Sequence, residues 1–73
     1  MDEDQIIENI FKLLENNGEL TFNEIKNSLG WLGDNRALRK ILSNLIREGK
    51  IERIPNYERR RMAFRVKRYE GTK

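Results

Sequence analysis

The side chains best suited to chemistry in this 73-residue chain are basic, and a set of them recurs at helical spacing. At 100° per residue, four polar side chains fall within about 60° of one another on one face of a helix. They are Arg36, Lys40, Ser43 and Arg47, and Arg39 flanks them. Arginine pairs bidentately with guanine edges, whereas lysine and arginine both bind phosphates. The competing interpretation is an ordinary solvated helix face, but residues 36–47 hold four bases and no acid.

A second basic cluster lies near the end of the chain, where six of the ten residues 59–68 are basic. The binding candidates in it are Arg59, Arg60, Arg61, Arg65 and Lys67. An arginine-rich loop can enter a narrow minor groove, where the negative potential is greatest. A charged strand edge that prevents aggregation is the alternative, although three consecutive arginines exceed what that protection needs.

The net charge of +3 conceals an asymmetry between the two halves of the chain. Residues 1–33 carry seven acidic against two basic side chains, a net −5, and residues 34–73 carry thirteen basic against five acidic ones, a net +8. Such asymmetry indicates a polyanionic partner for the basic half and a solvated, DNA-repelling acidic half.

Catalytic chemistry finds no support in the composition. The chain has no cysteine and no histidine, which excludes Ser–His and Cys–His nucleophiles, disulfides and the commonest metal ligands. No glycine-rich phosphate loop is present, because the segment Gly30-Trp31-Leu32-Gly33 lacks the following Gly-Lys-Ser/Thr. We therefore expect no enzyme activity, no metal and no cofactor.

The first residues are acidic and no apolar run approaches the length of a membrane span. The expected compartment is therefore the cytoplasm, in association with the nucleoid, and no membrane partner is expected.

Three helices must position the first basic cluster. Apolar periodicity predicts a helix from about Asp4 to Asn16, stopped at Gly18. A capping box of Thr21 and Glu24 predicts the start of the second helix, which ends at Gly30. The third helix is capped by Asp34, runs to about residue 48, and is stopped by Gly49. Its apolar stripe, Leu38, Ile41, Leu42 and Leu45, lies opposite the basic face.

Two strands must position the second basic cluster. Residues 50–54 predict a short strand that Pro55 breaks, and the alternation of residues 62–69 predicts its hairpin partner. In that alternation Met62, Phe64 and Val66 share one face, and Ala63, Arg65 and Lys67 the other. Residues 19–20 predict one further, very short strand.

Three apolar side chains have two interpretations. Trp31 either fills the corner between the second and third helices or is an exposed anchor for a protein partner, since Trp is enriched at binding hot spots. Ile7 and Phe11 lie at one edge of the wide apolar arc of the first helix, where they are either core or a dimer contact.

The chain resembles the winged helix family over nearly its whole length. Residues 20–30, LTFNEIKNSLG, resemble its second helix, and residues 38–54, LRKILSNLIREGKIERI, resemble its third helix and first wing strand. The size and style are similar to small stand-alone archaeal members. The turn between these helices is Gly-Trp-Leu-Gly-Asp, where the family has a short polar turn. The resemblance implies an α+β, mainly α fold: a three-helix bundle with a C-terminal β-hairpin wing, as one domain over residues 1–70 with a frayed tail at 71–73.

The resemblance also implies a function without catalysis. In such domains the third helix, here residues 34–48, enters the major groove of double-stranded DNA, and the basic wing, here residues 50–69, contacts the adjacent backbone or minor groove. The expected role is transcriptional regulation or chromatin-type DNA binding. The alternative is an accessory subunit that makes protein–protein contacts in a replication, polymerase or transcription complex, and RNA binding is a weaker third. A homodimer and a larger nucleic-acid-processing complex remain open as partners.

Overall fold

The structure is a computed structural model that describes residues 2–68. Helices and strands follow in the order α1 (Glu3–Asn17), β1 (Leu20–Thr21), α2 (Phe22–Leu29), α3 (Asn35–Arg47), β2 (Ile51–Asn56) and β3 (Arg61–Val66). This is a mainly helical α+β arrangement, a winged helix, and it confirms the predicted fold class. The predicted tail at 71–73 and the predicted strand end at Tyr69 lie outside the described residues.

Side-chain caps set the helix ends close to their predicted positions. The Asp2 carboxylate accepts a hydrogen bond from the backbone N–H of Gln5 at 2.9 Å and begins α1. The Asp34 carboxylate does the same for Arg36 at 3.0 Å and begins α3. Gly30 ends α2 in the left-handed conformation (φ 67°), which a residue without a Cβ adopts without strain.

The junction of β1 and α2 contains the predicted capping box. The Thr21 hydroxyl accepts from the backbone N–H of Glu24 at 3.3 Å, and a Glu24 carboxylate oxygen accepts from the backbone N–H of Thr21 at 2.9 Å. Because Thr21 is also the last residue of β1, the strand passes into the helix with no connecting residue. The prediction of a capping box is confirmed.

The hairpin belongs to a three-stranded antiparallel sheet in the order β1-β3-β2. Leu20 lies opposite Phe64, which ties the strand before α2 to the centre of the wing. We use "wing" for β2, β3, the turn between them and residues 67–68 that follow β3. Pro55 does not break the first strand as predicted but lies within β2, opposite Met62. An edge strand tolerates proline because one side of it has no neighbour in the sheet.

One hydrophobic core joins the three helices to the sheet. Its most deeply buried large side chains are Ile10, Leu14, Ile25, Leu38, Leu42, Leu45 and Ile51. The predicted apolar stripe of α3 is buried in full. The predicted alternation of faces in β3 does not become an alternation of burial, because the adjacent residues Ala63 and Phe64 are both buried and Met62 is 43% exposed. Ala63 is in register with residues of both flanking strands, so its single methyl group lies between larger neighbours.

Residues 57–60 form the turn of the wing. The Asn56 side-chain oxygen accepts a hydrogen bond from the backbone N–H of Arg59 at 2.8 Å, which folds the chain back on itself. Arg60 follows with φ 56°. Apart from glycines, no other residue in the range 2–68 has a positive φ. The turn therefore holds an arginine in a conformation that L-residues rarely adopt.

The turn between α2 and α3 contains one half-buried and one exposed apolar side chain. Trp31 packs against the core, and its indole N–H donates to the backbone carbonyl of Asp34 at 3.1 Å. A Cβ at Gly33 would lie 3.2 Å from the Trp31 ring, so the small residue allows this close approach. Leu32, between them, is 98% exposed.

These two neighbours make a matched pair for unfolding measurements. We expect Trp31→Ala to lower the free energy of unfolding by about 2 kcal/mol, because a half-buried ring loses part of the burial of a core aromatic. We expect Leu32→Ala to change it by less than about 0.5 kcal/mol, as an exposed side chain should. Urea unfolding followed by far-ultraviolet circular dichroism measures both, and equal losses would contradict the packing described.

Candidate nucleic-acid interface

The third helix presents its polar side chains to solvent on the side opposite the core. We call the five exposed side chains on that side the cationic face: Arg36, Arg39, Lys40, Ser43 and Arg47. The amphipathic sequence dictates this orientation, because burying the leucines and isoleucines of α3 turns the basic residues outward. Within residues 2–68, no carboxylate forms an ion pair with any of them. Their positive charge is therefore available to an external anion.

One member of the cationic face is held by an aromatic ring. The Arg39 guanidinium carbon lies 4.0 Å from the centroid of the Phe22 ring, at the start of α2. This is a cation–π contact, and it limits the orientations open to the Arg39 side chain. The sequence pattern placed Arg39 at the edge of the face but gave no sign of this contact between two helices.

The basic residues of the wing divide into paired and unpaired groups. Arg60, Arg61 and Lys67 are exposed, and none forms an ion pair within the described part of the chain. Arg59 instead donates through Nε to Glu24 at 2.7 Å, and Arg65 donates through Nε to Glu52 at 2.6 Å. Sequence reasoning missed both pairs, because strand register and the approach of the wing to α2 are needed to see them.

Glu24 carries out two functions with its two oxygens. One accepts from the Thr21 backbone and caps α2, and the other accepts from Arg59 of the wing. The hydrogen bond from the Thr21 backbone, and next that from Arg59, hold the pKa of the Glu24 carboxyl below its ordinary 4.5. Glu24 in turn raises the pKa of Arg59. The start of α2 and the turn of the wing therefore share one carboxylate.

A second hydrogen bond fixes the wing to the chain ahead of α2. The Asn56 side-chain amide donates to the Glu19 carboxylate at 2.8 Å, while its oxygen closes the turn through the Arg59 backbone. With the Glu24–Arg59 pair, this contact sets the position of the wing turn against the helical part of the fold.

An open cleft of about 320 Å³ lies between the start of α2, α3 and the wing. Arg39 of α3, Arg53 of β2 and Arg61 of β3 are among its lining residues, so this cleft brings the two basic clusters together. Arg53 was not among the residues that the sequence pointed to. Its signal was weak, because it stands alone beside Glu52 in a strand and belongs to neither basic cluster.

The apolar candidates for a partner contact are all half-buried and pack against the core: Trp31, Ile7 and Phe11. The structure adds Leu32, whose side chain is almost fully exposed. It borders an apolar pocket of about 450 Å³, also lined by Ile6 and Leu29. Two bulky apolar residues between glycines were the sequence signal for this feature.

Other kinds of site find no support in residues 2–68. No group of carboxylates there is arranged to hold a metal ion. No helix in that range has the length and apolar character needed to span a membrane.

The fold and the cationic face define a winged helix with an exposed third helix, an architecture used by helix-turn-helix DNA-binding regulators. Among solved structures, the chain is similar to the reduced form of MarR from E. coli, with a TM-score of 0.67 and 25% sequence identity. The likeness covers 80% of this chain and 42% of the MarR chain, so this chain spans less than half of that protein. No protein-family model and no curated protein sequence matches it significantly.

The shared carboxylate of Glu24 predicts a pH-dependent stability. A carboxyl whose pKa is lowered by folding stabilises the fold above its ordinary pKa of 4.5, and this contribution is lost as the pH falls through the lowered value. We expect Glu24→Gln, which keeps an oxygen for the cap, to lower stability at pH 7 by up to about 1 kcal/mol. The difference in the free energy of unfolding between wild type and Glu24→Gln should narrow in urea unfolding at a pH well below 4.5.

Two further variants test the assignment. Glu24→Ala loses the cap as well as the ion pair and should be less stable than Glu24→Gln by about 1 kcal/mol. Glu15→Gln removes a carboxylate from the exposed side of α1 and is the matched control. If the difference in the free energy of unfolding between wild type and Glu24→Gln is the same at pH 7 and at acidic pH, the double role of Glu24 is contradicted.

Proposed function

We propose that this protein binds double-stranded DNA without catalysis, with α3 in the major groove and the wing on the adjacent backbone or minor groove. The observation that carries this proposal is the uncompensated cationic face on an exposed helix. A helix fits the major groove, and positive charge supplies most of the affinity for a duplex. The likeness to MarR, a transcription regulator and not an enzyme, supports the same class of function.

Within α3, position along the helix assigns the roles. Arg36 lies at the second residue of α3, and the N-terminal residues of a recognition helix are the ones that meet base edges. We assign base contacts to Arg36 and Arg39, since arginine pairs bidentately with guanine. Lys40 and Arg47 contact phosphates and fix the register, and Ser43 lies between them on the same face.

Within the wing, the unpaired side chains carry most of the DNA contact. Arg60, Arg61 and Lys67 are free to meet phosphates or a narrow groove. Arg59 and Arg65 each share their charge with a carboxylate, so their contribution to binding is smaller than that of Arg60 and Arg61. The wing supplies charge and groove shape and little base readout.

The biological role that follows is transcriptional regulation or chromatin-type DNA binding in the cytoplasm, at the nucleoid. The exposed Leu32 and its apolar pocket favour a second candidate, contact with a protein, either a second copy of the chain or a larger nucleic-acid-processing complex. An exposed leucine beside a pocket on the same surface is self-complementary, as a two-fold symmetric contact requires. In that case the protein acts as an accessory subunit.

The salt dependence of duplex binding separates these candidates. If five or six basic residues contact phosphates, the logarithm of the binding constant should fall with the logarithm of salt concentration at a slope of about −5. Fluorescence anisotropy with a labelled duplex over a range of salt concentrations measures the slope. No binding at low salt, or a slope near zero, would overturn the DNA-binding proposal and favour the accessory subunit.

The different roles assigned to α3 and to the wing can be tested by measuring binding to one preferred and one scrambled duplex. Arg36→Ala and Arg39→Ala should reduce discrimination between them by about 1–3 kcal/mol, because a bidentate base contact is lost. Replacing Arg59, Arg60 and Arg61 together with Ala should weaken binding to both duplexes alike and flatten the salt slope by roughly two to three phosphates. Loss of discrimination in the wing variant alone would reverse the assigned roles.

A further inference from the structure

The cleft between the cationic face and the wing arises from the shortness of β1. This strand pairs only with Phe64 and Ala63 of β3, and then the chain turns into α2. The next residues of β3, Met62 and Arg61, have no partner in β1 on that side. The space of about 320 Å³ opens there, with Arg39 entering its lining from α3.

Three arginines from three different elements line this cleft, and their charge is not neutralised. Arg39, Arg53 and Arg61 form no ion pair with any carboxylate in residues 2–68. No acidic side chain is among the residues that line the cleft. Glu24 and Glu52, which are next in sequence to lining residues, pair with Arg59 and Arg65 instead. Three like charges around one concave space raise its affinity for an anion.

The arrangement suits a tetrahedral oxyanion. A guanidinium presents a planar fork of N–H donors that matches two oxygens of a phosphate, and several forks can share one group. Arg39 is partly preorganised, because its guanidinium rests on the Phe22 ring. Less side-chain freedom is then lost when an anion binds.

We propose that this cleft binds a single phosphate group of the duplex backbone. Arg53 and Arg61 are its main ligands, and Arg39 donates to the same phosphate through the N–H groups that its base contact leaves free. The proposal rests on the proposed DNA-binding function and extends it to Arg53, which belongs to neither basic cluster of the sequence. Because the cleft lies between α3 and the wing, the phosphate it holds is the one between the groove read by the helix and the groove reached by the wing. A free phosphate ion has the same chemistry and is the other source to be tested.

The first experiment compares two charge-removing substitutions in the same segment. Arg53→Gln should weaken duplex binding about tenfold and flatten the salt slope by about one unit, as expected for one lost phosphate contact. Lys50→Gln removes the same charge from a residue that pairs with Glu48 and does not line the cleft, and it should leave the slope unchanged. Circular dichroism melting of both variants verifies that the fold is retained.

The second experiment locates the phosphate. In a series of duplexes, each backbone phosphate in turn is replaced by a neutral methylphosphonate. One position should cost less affinity with Arg53→Gln than with the wild-type protein, since part of the contact with that phosphate is already lost in the variant. Additive losses at every position would overturn the proposal.

The outcomes distinguish a wrong assignment of the phosphate site from a wrong proposal of DNA binding. A wild-type slope of about −5, with Arg53→Gln behaving like Lys50→Gln, would overturn the phosphate site and leave DNA binding intact. Absence of a salt-dependent wild-type affinity would overturn both. Saturable binding of inorganic phosphate that needs Arg53 and competes with the duplex at constant ionic strength would assign the cleft to the free ion instead.

Discussion

The fold depends on the junction at Thr21, where a two-residue strand becomes a helix without any linker. Thr21 is 4% exposed, and its backbone and hydroxyl take part in the capping box with Glu24. Because β1 is paired with the central strand, this one residue fixes α2 relative to the sheet. The same carboxylate that completes the cap also holds Arg59, so the geometry of the helix start is transmitted to the wing. The position of the wing turn relative to the start of α2 depends on these contacts, whereas α3 is placed by the hydrophobic core.

Ion pairing within the fold determines which basic side chains remain available to an external anion. Two acidic side chains of the first half of the chain bind the wing and do not merely face solvent. Glu19 accepts a hydrogen bond from Asn56, and Glu24 accepts one from Arg59. Exposed ion pairs contribute little to stability, but they fix side-chain direction and remove charge locally. Within residues 2–68, the cations that form no ion pair lie on α3 and at the wing, apart from Lys26 of α2. The charge asymmetry of the sequence thus becomes a localised positive surface in the fold.

Much of the fold could be predicted because its signals are local. Glycines 18, 30 and 49, the Thr21–Glu24 cap and the apolar stripe of α3 act within one or two helical turns, and the structure agrees with each. The error concerns Pro55, which was expected to break its strand. Its place in β2, like the burial of Ala63 and the exposure of Met62, depends on strand order in the sheet, and strand order is not a local property. For the same reason the partners of Arg59 and Arg65, and the approach of Arg53 to Arg39, could not be seen in the sequence. The exposed basic face needed only helical periodicity, so it was predictable.

At Arg60, the residue type that would make the turn most stable differs from the residue type that supplies a positive charge. Glycine or asparagine would suit φ 56° better, and an L-residue there loses about 1–2 kcal/mol. In a chain of 73 residues, whose core is small, that amount is a substantial part of the total stability. A thermostabilised version designed by turn statistics alone would place glycine at this position and remove a cation from the outermost part of the hairpin. Stability gained by that route would come with a loss of positive charge at the turn of the hairpin.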